Sequence, residues 1–448
     1  MRFTRRHLVT LVLAAVLVVM MTGTSEMATK EKLVIFGTEQ PELVQSARDR
    51  IAAGFEAEHP GVEVVWALEG EWKDGPKRLM TARLAGEQVD VVLASANATN
   101  SVYVREKLLM DLTDVIGDIR KRVDPRALEA FTIGGRIWAV PHWMMSTSAW
   151  YYNKAIFKKY GLKEPKTYSD MVAIARKLNE VGIIPAVHQG KNPYMWPMWY
   201  FETFAQTSGN KSVELTIQNL MGKRKFTSPE DVEALEAIGK FVKDGVLGKG
   251  ILDIDWEGMR SAFVTGKAAM YYGGSWELPW LRANAKHMDI GVFEFPLLKE
   301  GVVSQHGGGP DVGLAISSTI APKRFNLALA FIEYCTRDEP AQVWLTPMEP
   351  IVTTHLNGPR SRDPIAREMA DQFMPNTIRF LDWIWPLEVN EAFQQAIQSV
   401  VAGMRTPQEA MQLVQKAYDD LVSRGYRFDY WNTWSESDWK QVTPPSKR

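Results

Sequence analysis

Asp253 and Asp255 stand two residues apart, so an extended backbone would put both carboxylates on one side, as an acid and base pair for glycoside cleavage would need. Nothing near them in sequence would tune their pKa values, and a solvated turn ahead of a helix at Trp256 is the favoured reading. The seven histidines (7, 59, 142, 188, 287, 306 and 355) are scattered, with no HExxH and no close pair, which argues against a catalytic zinc site. GxSxG is absent, and Gly307, Gly308 and Gly309 are not followed by GK[ST], so neither a serine hydrolase nor a phosphate loop is indicated. The single cysteine, Cys335, sits among apolar residues and reads as a buried, inert thiol; intrachain disulfides are excluded. The unusual stock is aromatic: 16 Trp, many in expected loops, which suggests a binding surface of flat apolar faces.

The elements that would position these rings follow from periodicity. LVIFG from Leu33 is expected as a first strand, after Lys32. The helix after it carries Leu43, Ala47, Ile51 and Phe55 at helical spacing and ends at His59-Pro60-Gly61. VEVVWAL, a helix around Leu79 to Leu84 that stops at Gly86, and VDVVLAS continue the alternation, the pattern of a mostly parallel sheet wrapped by helices. Ligands of such sheets meet the loops at the carboxyl ends of strands. Those loops hold Glu39, Glu69, Trp72, Ser95 and Asn97, which become candidates because they converge on one edge.

Ile137 to Val140 reads as a buried strand that meets Pro141, which cannot continue a central strand. An aromatic-rich bridge containing Trp143 leads to a second extended run, Ala149 to Tyr152, and Asn153 starts a short helix closed by Gly161. Thr167 with Asp170 is a capping box; so is Thr406 with Glu409, and Ser228-Pro229-Glu230-Asp231 is a strong helix start. Two strands joined by a kinked bridge suit a chain passing from one lobe to another. GKAAMYYGGSWELP places Trp276 after paired glycines at a strand end, where Gly273 and Gly274 let backbone approach a ligand.

GGRIWAVP, WYYNKAIFKKYGL and EPKTYSDM, followed by GKAAMYYGGSW, resemble the signature of family 1 extracellular solute-binding proteins, the sugar-binding components of ATP-driven importers. The resemblance extends over nearly the whole chain. It implies an α/β, two-lobed periplasmic-binding-protein fold (type II), each lobe a mostly parallel sheet flanked by helices, with a multi-crossing hinge. The implied boundaries are 1–28 signal peptide, 29–144 and 290–340 first lobe, 145–289 and 341–448 second lobe. Crossings are expected near Pro141 to Ser148, near Ile290 to Phe295 and between Thr336 and Thr346. The tail after Tyr430 is expected to fray.

The resemblance also implies ligand contacts. NPYMWP is similar to the family's sugar-stacking segment and brings forward Tyr194 and Trp196, and Trp276 matches a sugar-stacking Trp. GGGPDVGLAIS matches a glycine-rich turn before a first-lobe strand, which brings in Gly308. MPNTIRFLDWIWP matches a late binding loop that offers Trp383 or Trp385. The implied function is a receptor that captures a sugar or oligosaccharide by hinge closure, without catalysis or cofactor, as a monomer that meets the membrane permease subunits. A glycerol phosphate ester, a polyamine, or a secreted glycosidase are the other readings.

Composition agrees with an exported globular chain. With 448 residues, 46% hydrophobic and 23% charged, it can fill two cores. The formal net charge of −1 offers no long-range attraction for nucleic acid or anionic lipid. Arg2, Arg5 and Arg6 precede an apolar run from Leu8 to Met21, the pattern of a secretory signal, with cleavage points at Gly23, Ser25 or Ala28. No cysteine lies near them, so the expectation is a periplasmic or extracellular protein that is not a lipoprotein.

Overall fold

The computed structural model of the protein describes residues 30–38, 44–70, 74–248, 250–345, 352–358 and 360–445. The expected signal segment therefore lies outside the described residues. The strands are β1 (Glu31–Gly37), β2 (Val62–Leu68), β3 (Val91–Ser95), β4 (Thr132–Ile133), β5 (Arg136–Ile137), β6 (Val140–Asn153), β7 (Ile184–Val187), β8 (Ala268–Gly274), β9 (Ile290–Phe293), β10 (His306–Ile316), β11 (Val352–Thr353) and β12 (Thr377–Arg379).

In the first lobe β1 pairs in parallel with β2 on one side and β3 on the other. The helix Gln45–Glu58 buries Ala47, Ile51 and Phe55, the stripe its spacing foretells. In the second lobe the order β7-β8-β6 is flanked on the far side of β6 by β9. Trp150 of β6 is fully buried there, with its ring stacked at 5.8 Å on Phe293 and edge-on to Trp199 at 5.5 Å.

The sheets are mixed rather than mostly parallel. Two chain passages of opposite direction, β6 and β10, run through both lobes and pair antiparallel with each other from Leu314↔Val140 to Gly308↔Thr147. Each then serves as a strand in both lobes, so β10 is antiparallel to β3 while β6 is antiparallel to β8 and β9. Pro141 does not stop β6. At that point β10 is its only paired neighbour among the described residues, and a missing N–H is tolerated at such an edge.

The return crossing also differs from expectation. Residues 290–293 pair with Trp150–Asn153 and stay in the second lobe, and Gln206 holds the following loop through Pro296 O (3.1 Å) and Leu298 N–H (2.7 Å). The chain crosses within β10 instead, and Gly307 to Gly309 form strand, not a turn. Close packing requires those glycines. A Cβ on Gly308 would come within 2.2 Å of Ser146 O, and one on Gly307 within 2.8 Å of the Phe380 ring. The helix Asp338–Leu345 packs on Gln45–Glu58 of the first lobe.

Thr167 and Thr406 both form complete capping boxes. Ser228 occupies its N-cap but donates to Lys225 O at 2.7 Å, so it caps with no side-chain bond.

The tail does not fray. After the second-lobe helix Pro407–Ser423, the chain returns to the first lobe, where Asp111 N–H donates to Val442 O at 2.8 Å. Arg105 lies over the rings of Tyr426 (4.7 Å) and Tyr430 (4.2 Å), Arg136 over Trp439 (4.8 Å), and Trp434 stands edge-on to Trp138 at 5.9 Å. Flat rings and arginine planes explain the order, since each contact desolvates little charge while covering apolar surface. Trp434→Ala should lower unfolding free energy by about 2 kcal/mol in denaturant melts, between a surface change and a full core truncation. An unchanged midpoint would mean that the tail contributes nothing to the fold.

Candidate functional site

Three groups of residues meet where the lobes face each other. The first-lobe wall is the carboxyl edge of β1, β2 and β3. Arg78 ties that edge together: it donates to Gly37 O at 2.8 Å, pairs with the largely exposed Glu69 at 3.1 Å, and lies 5.0 Å over the Phe36 ring. Ser95, at the end of β3, is buried and hydrogen-bonded to Tyr103, whose hydroxyl is pushed up to about 12 chiefly by burial. Asn97 is exposed in the same loop. Glu39 and Trp72 lie outside the described residues, as does the side chain of Trp143.

The floor is the crossing pair. Ser146 of β6 faces Gly309 of β10, and the Ser146 hydroxyl donates to Gly309 O at 2.8 Å with Asp311 Oδ1 at 3.4 Å. Gly309 has φ +130°, and a Cβ there would meet the Trp383 ring at 2.9 Å. Only glycine allows this approach.

The second-lobe wall is aromatic. Trp276 follows β8, with its ring so close over Gly274 that a Cβ there would come within 2.2 Å. Trp276 is half-buried and packs against two hydrophobic clusters, one that runs through both lobes and one in the first lobe. Its neighbour Phe380 lies at 6.2 Å between ring centroids, and Phe380 stands edge-on to Trp383 at 4.9 Å. The segment Leu381–Trp383 approaches Ala96–Ala98, which brings the late loop of one lobe to the β3 loop of the other.

The structure therefore gathers Trp276, Trp383, Gly274, Gly308, Ser95 and Asn97 around the junction. It sets two candidates apart. Trp385 is 1% exposed and stacked at 3.9 Å on Phe393, and Trp196 is fully buried, with its indole N–H donating to Gly190 O at 2.8 Å. Both belong to the second-lobe core because neighbouring helices cover them. Tyr194 is 51% exposed, and no described ring contact joins it to Trp276 or Trp383.

Asp311 and Asp382 went unremarked in the sequence although both lie inside quoted motifs. Asp382 Oδ1 is shut off from solvent without a hydrogen-bond partner. Burial pushes each carboxyl up to about 7, and Asp311 raises Asp382 further by like-charge repulsion. Asp255, by contrast, caps the helix Trp256–Val264 by accepting from Gly258 N–H at 2.9 Å. Buried His142 and His188 are driven down to about 3 by burial and stay neutral.

A family model described as bacterial extracellular solute-binding protein matches residues 38–342. The chain belongs to that family. It is 23% identical over 392 residues to an uncharacterised ABC transporter extracellular-binding protein of Pyrococcus horikoshii, covering 85% of this chain and 84% of the other. A second protein of that description from the same organism is 25% identical over 217 residues, so the match spans about half of each chain. The multiple sugar-binding protein of Streptococcus mutans is 23% identical over 319 residues, 68% of this chain and 72% of its own length. A solved chitin oligosaccharide binding protein superposes with TM-score 0.74 at 22% identity, over 88% of this chain and all of that one. The two-lobed fold is thus shared with solute-binding proteins, and the family is extracellular.

Two measurements follow. Trp276→Ala should weaken ligand binding by roughly thirtyfold in calorimetric titration, since a desolvated stacking ring is worth about 2 kcal/mol. Its stability loss should stay below the roughly 3–5 kcal/mol of a core Trp; normal affinity with a large loss would return it to the core. The second measurement concerns pH. Asp311 and Asp382 keep their protons when folded at pH values where the unfolded chain has lost them. Their stabilising contribution is full below about pH 4 and is lost as pH rises toward 7. The double variant Asp311→Asn/Asp382→Asn should gain in Tm on the native protein across that window, and parallel Tm curves would contradict the assignment.

Proposed function

We propose that the protein is the secreted receptor of an ATP-driven importer that captures a sugar or oligosaccharide between its lobes. The observation that carries this reading is Trp276, a half-buried indole that packs on a cluster running through both lobes and on a first-lobe cluster, beside Phe380 and Trp383. Sugars present C–H faces that stack on such rings and a polar rim that wants directed groups. Ser95, Asn97, Glu69, Asp311 and Asp382, with backbone at Gly274 and Gly308, supply the polar rim. Trp383 takes the second stacking position, since Trp385 is covered by Phe393. Tyr194 serves an outer position on the second lobe.

Closure about the crossing strands holds the ligand, because the closed arrangement gains contacts that only the ligand completes. The names of the relatives support the substrate class: one is a multiple sugar-binding protein, another a diacetylchitobiose binding protein of Streptomyces coelicolor. The reading includes an N-terminal export signal without lipid anchor, a monomer, and delivery to membrane permease subunits.

The test is a thermal-shift screen against a carbohydrate library, in which a ligand that binds only the folded state raises Tm. The best ligand, incubated with the protein and followed by chromatography, should be recovered intact. Turnover that disappears in Asp253→Asn or Asp255→Asn would replace the receptor reading with a glycosidase.

A further inference from the structure

The buried carboxylates of this protein largely follow one rule. Asp90 pairs with Arg324 at 2.8 Å, Glu277 with Arg260 at 3.0 Å, Asp111 with Arg136 and Asp231 with Arg224, and Glu202 has His306 at 4.0 Å. These are the acids most hidden from solvent, and all but Glu202 have an arginine beside them.

Asp311 and Asp382 are half-buried at the junction and differ from these acids in having no such cation. They are near enough for one to repel the other's charge, yet neither has a Lys, Arg or His partner among the described residues. The nearby arginines are committed elsewhere: Arg126 to Asp124 and Met374 O, Arg379 to Glu129 O. The Ser146 hydroxyl has one proton, and its shorter bond goes to Gly309 O, which leaves Asp311 a long share at 3.4 Å. The Asp382 carboxylate accepts from the backbone N–H groups of Asp382 and Trp383, while its Oδ1 is left without a hydrogen-bond partner. Beside them stand the rings of Trp383 and Phe380, with Trp276 next to Phe380.

Two half-buried carboxylates without a counter-ion, set beside aromatic faces, form a site for a cation that arrives with the ligand. We propose that the ligand of this cleft bears a protonated amine, which Asp311 and Asp382 bind together while Trp383 and Trp276 flank its carbon skeleton. The inference rests on the sugar-receptor reading and narrows it to amine-bearing saccharides. A linear polyamine shares the amine chemistry but lacks the ring faces, so it is kept as a separate arm of the test.

The probes are a fully deacetylated glucosamine tetramer, its N-acetylated counterpart and spermidine, titrated calorimetrically into the mature protein at neutral pH, where the two carboxyls can pass their protons to the amines. The deacetylated tetramer should bind at least about tenfold tighter than the acetylated one. Asp311→Asn and Asp382→Asn should each narrow that preference by about tenfold, with thermal melts confirming that both variants fold. Equal or tighter binding of the acetylated tetramer, or a preference unchanged in both variants, overturns the amine inference and leaves the sugar receptor standing. Binding of spermidine with neither saccharide bound overturns the sugar reading and keeps the paired acids. Failure of both amine-bearing probes overturns the inference as well.

Discussion

The antiparallel pairing of β6 with β10 is the constraint on which the rest depends. These strands are at once the link between the lobes and a part of each lobe's sheet. One buried carboxylate holds their second-lobe ends in register. Glu202, on the all-buried helix Pro197–Thr207, accepts from the Ser148 hydroxyl of β6, from Tyr272 of β8 at 2.8 Å and from Gly307 N–H of β10 at 2.9 Å. A charge so placed is tolerable only with its donors present, so the three strands must arrive together. His306 lies at the same point, between Glu202 (4.0 Å) and Glu294 (3.1 Å).

Because the link is sheet, lobe motion is directed. Two paired strands resist sliding but can twist, and twist changes the distance between walls that project from opposite ends of the crossing. Trp276 leaves β8 where Gly274 pairs with Ser148, and Trp383 rests on Gly309. Both rings are thus mounted on the crossing itself. The tail adds a connection that the strands do not make, running from the second-lobe helix Pro407–Ser423 to the first-lobe surface around Trp138.

Electrostatics divides the molecule along the same line. Within each lobe, buried charge is neutralised by cations built into the chain, as Arg224 does for Asp231 and Arg260 for Glu277. His142 and His188 avoid charge, since desolvation favours their neutral form. At the junction the acids are left for something else to satisfy, which is how a binding site departs from the rules of a core.

Period and punctuation determined the local elements. The β1 to β3 strands, the stripe Ala47, Ile51, Phe55 and the capping boxes at Thr167 and Thr406 were legible because short-range geometry alone sets them. The family signature also carried the two-lobed fold. What sequence could not say was where the chain crosses, because a strand that belongs to two sheets has the same local pattern as one that belongs to one. Nor could it choose between Trp383 and Trp385, two residues apart: Phe393, distant in sequence, covers one ring, and Gly309 receives the other. Asp311 and Asp382 carried no signal of their own in the sequence for the same reason. Their burial, and the lack of a cation beside them, arise only when β10 and the late loop are folded against each other, so tertiary structure alone made them a pair.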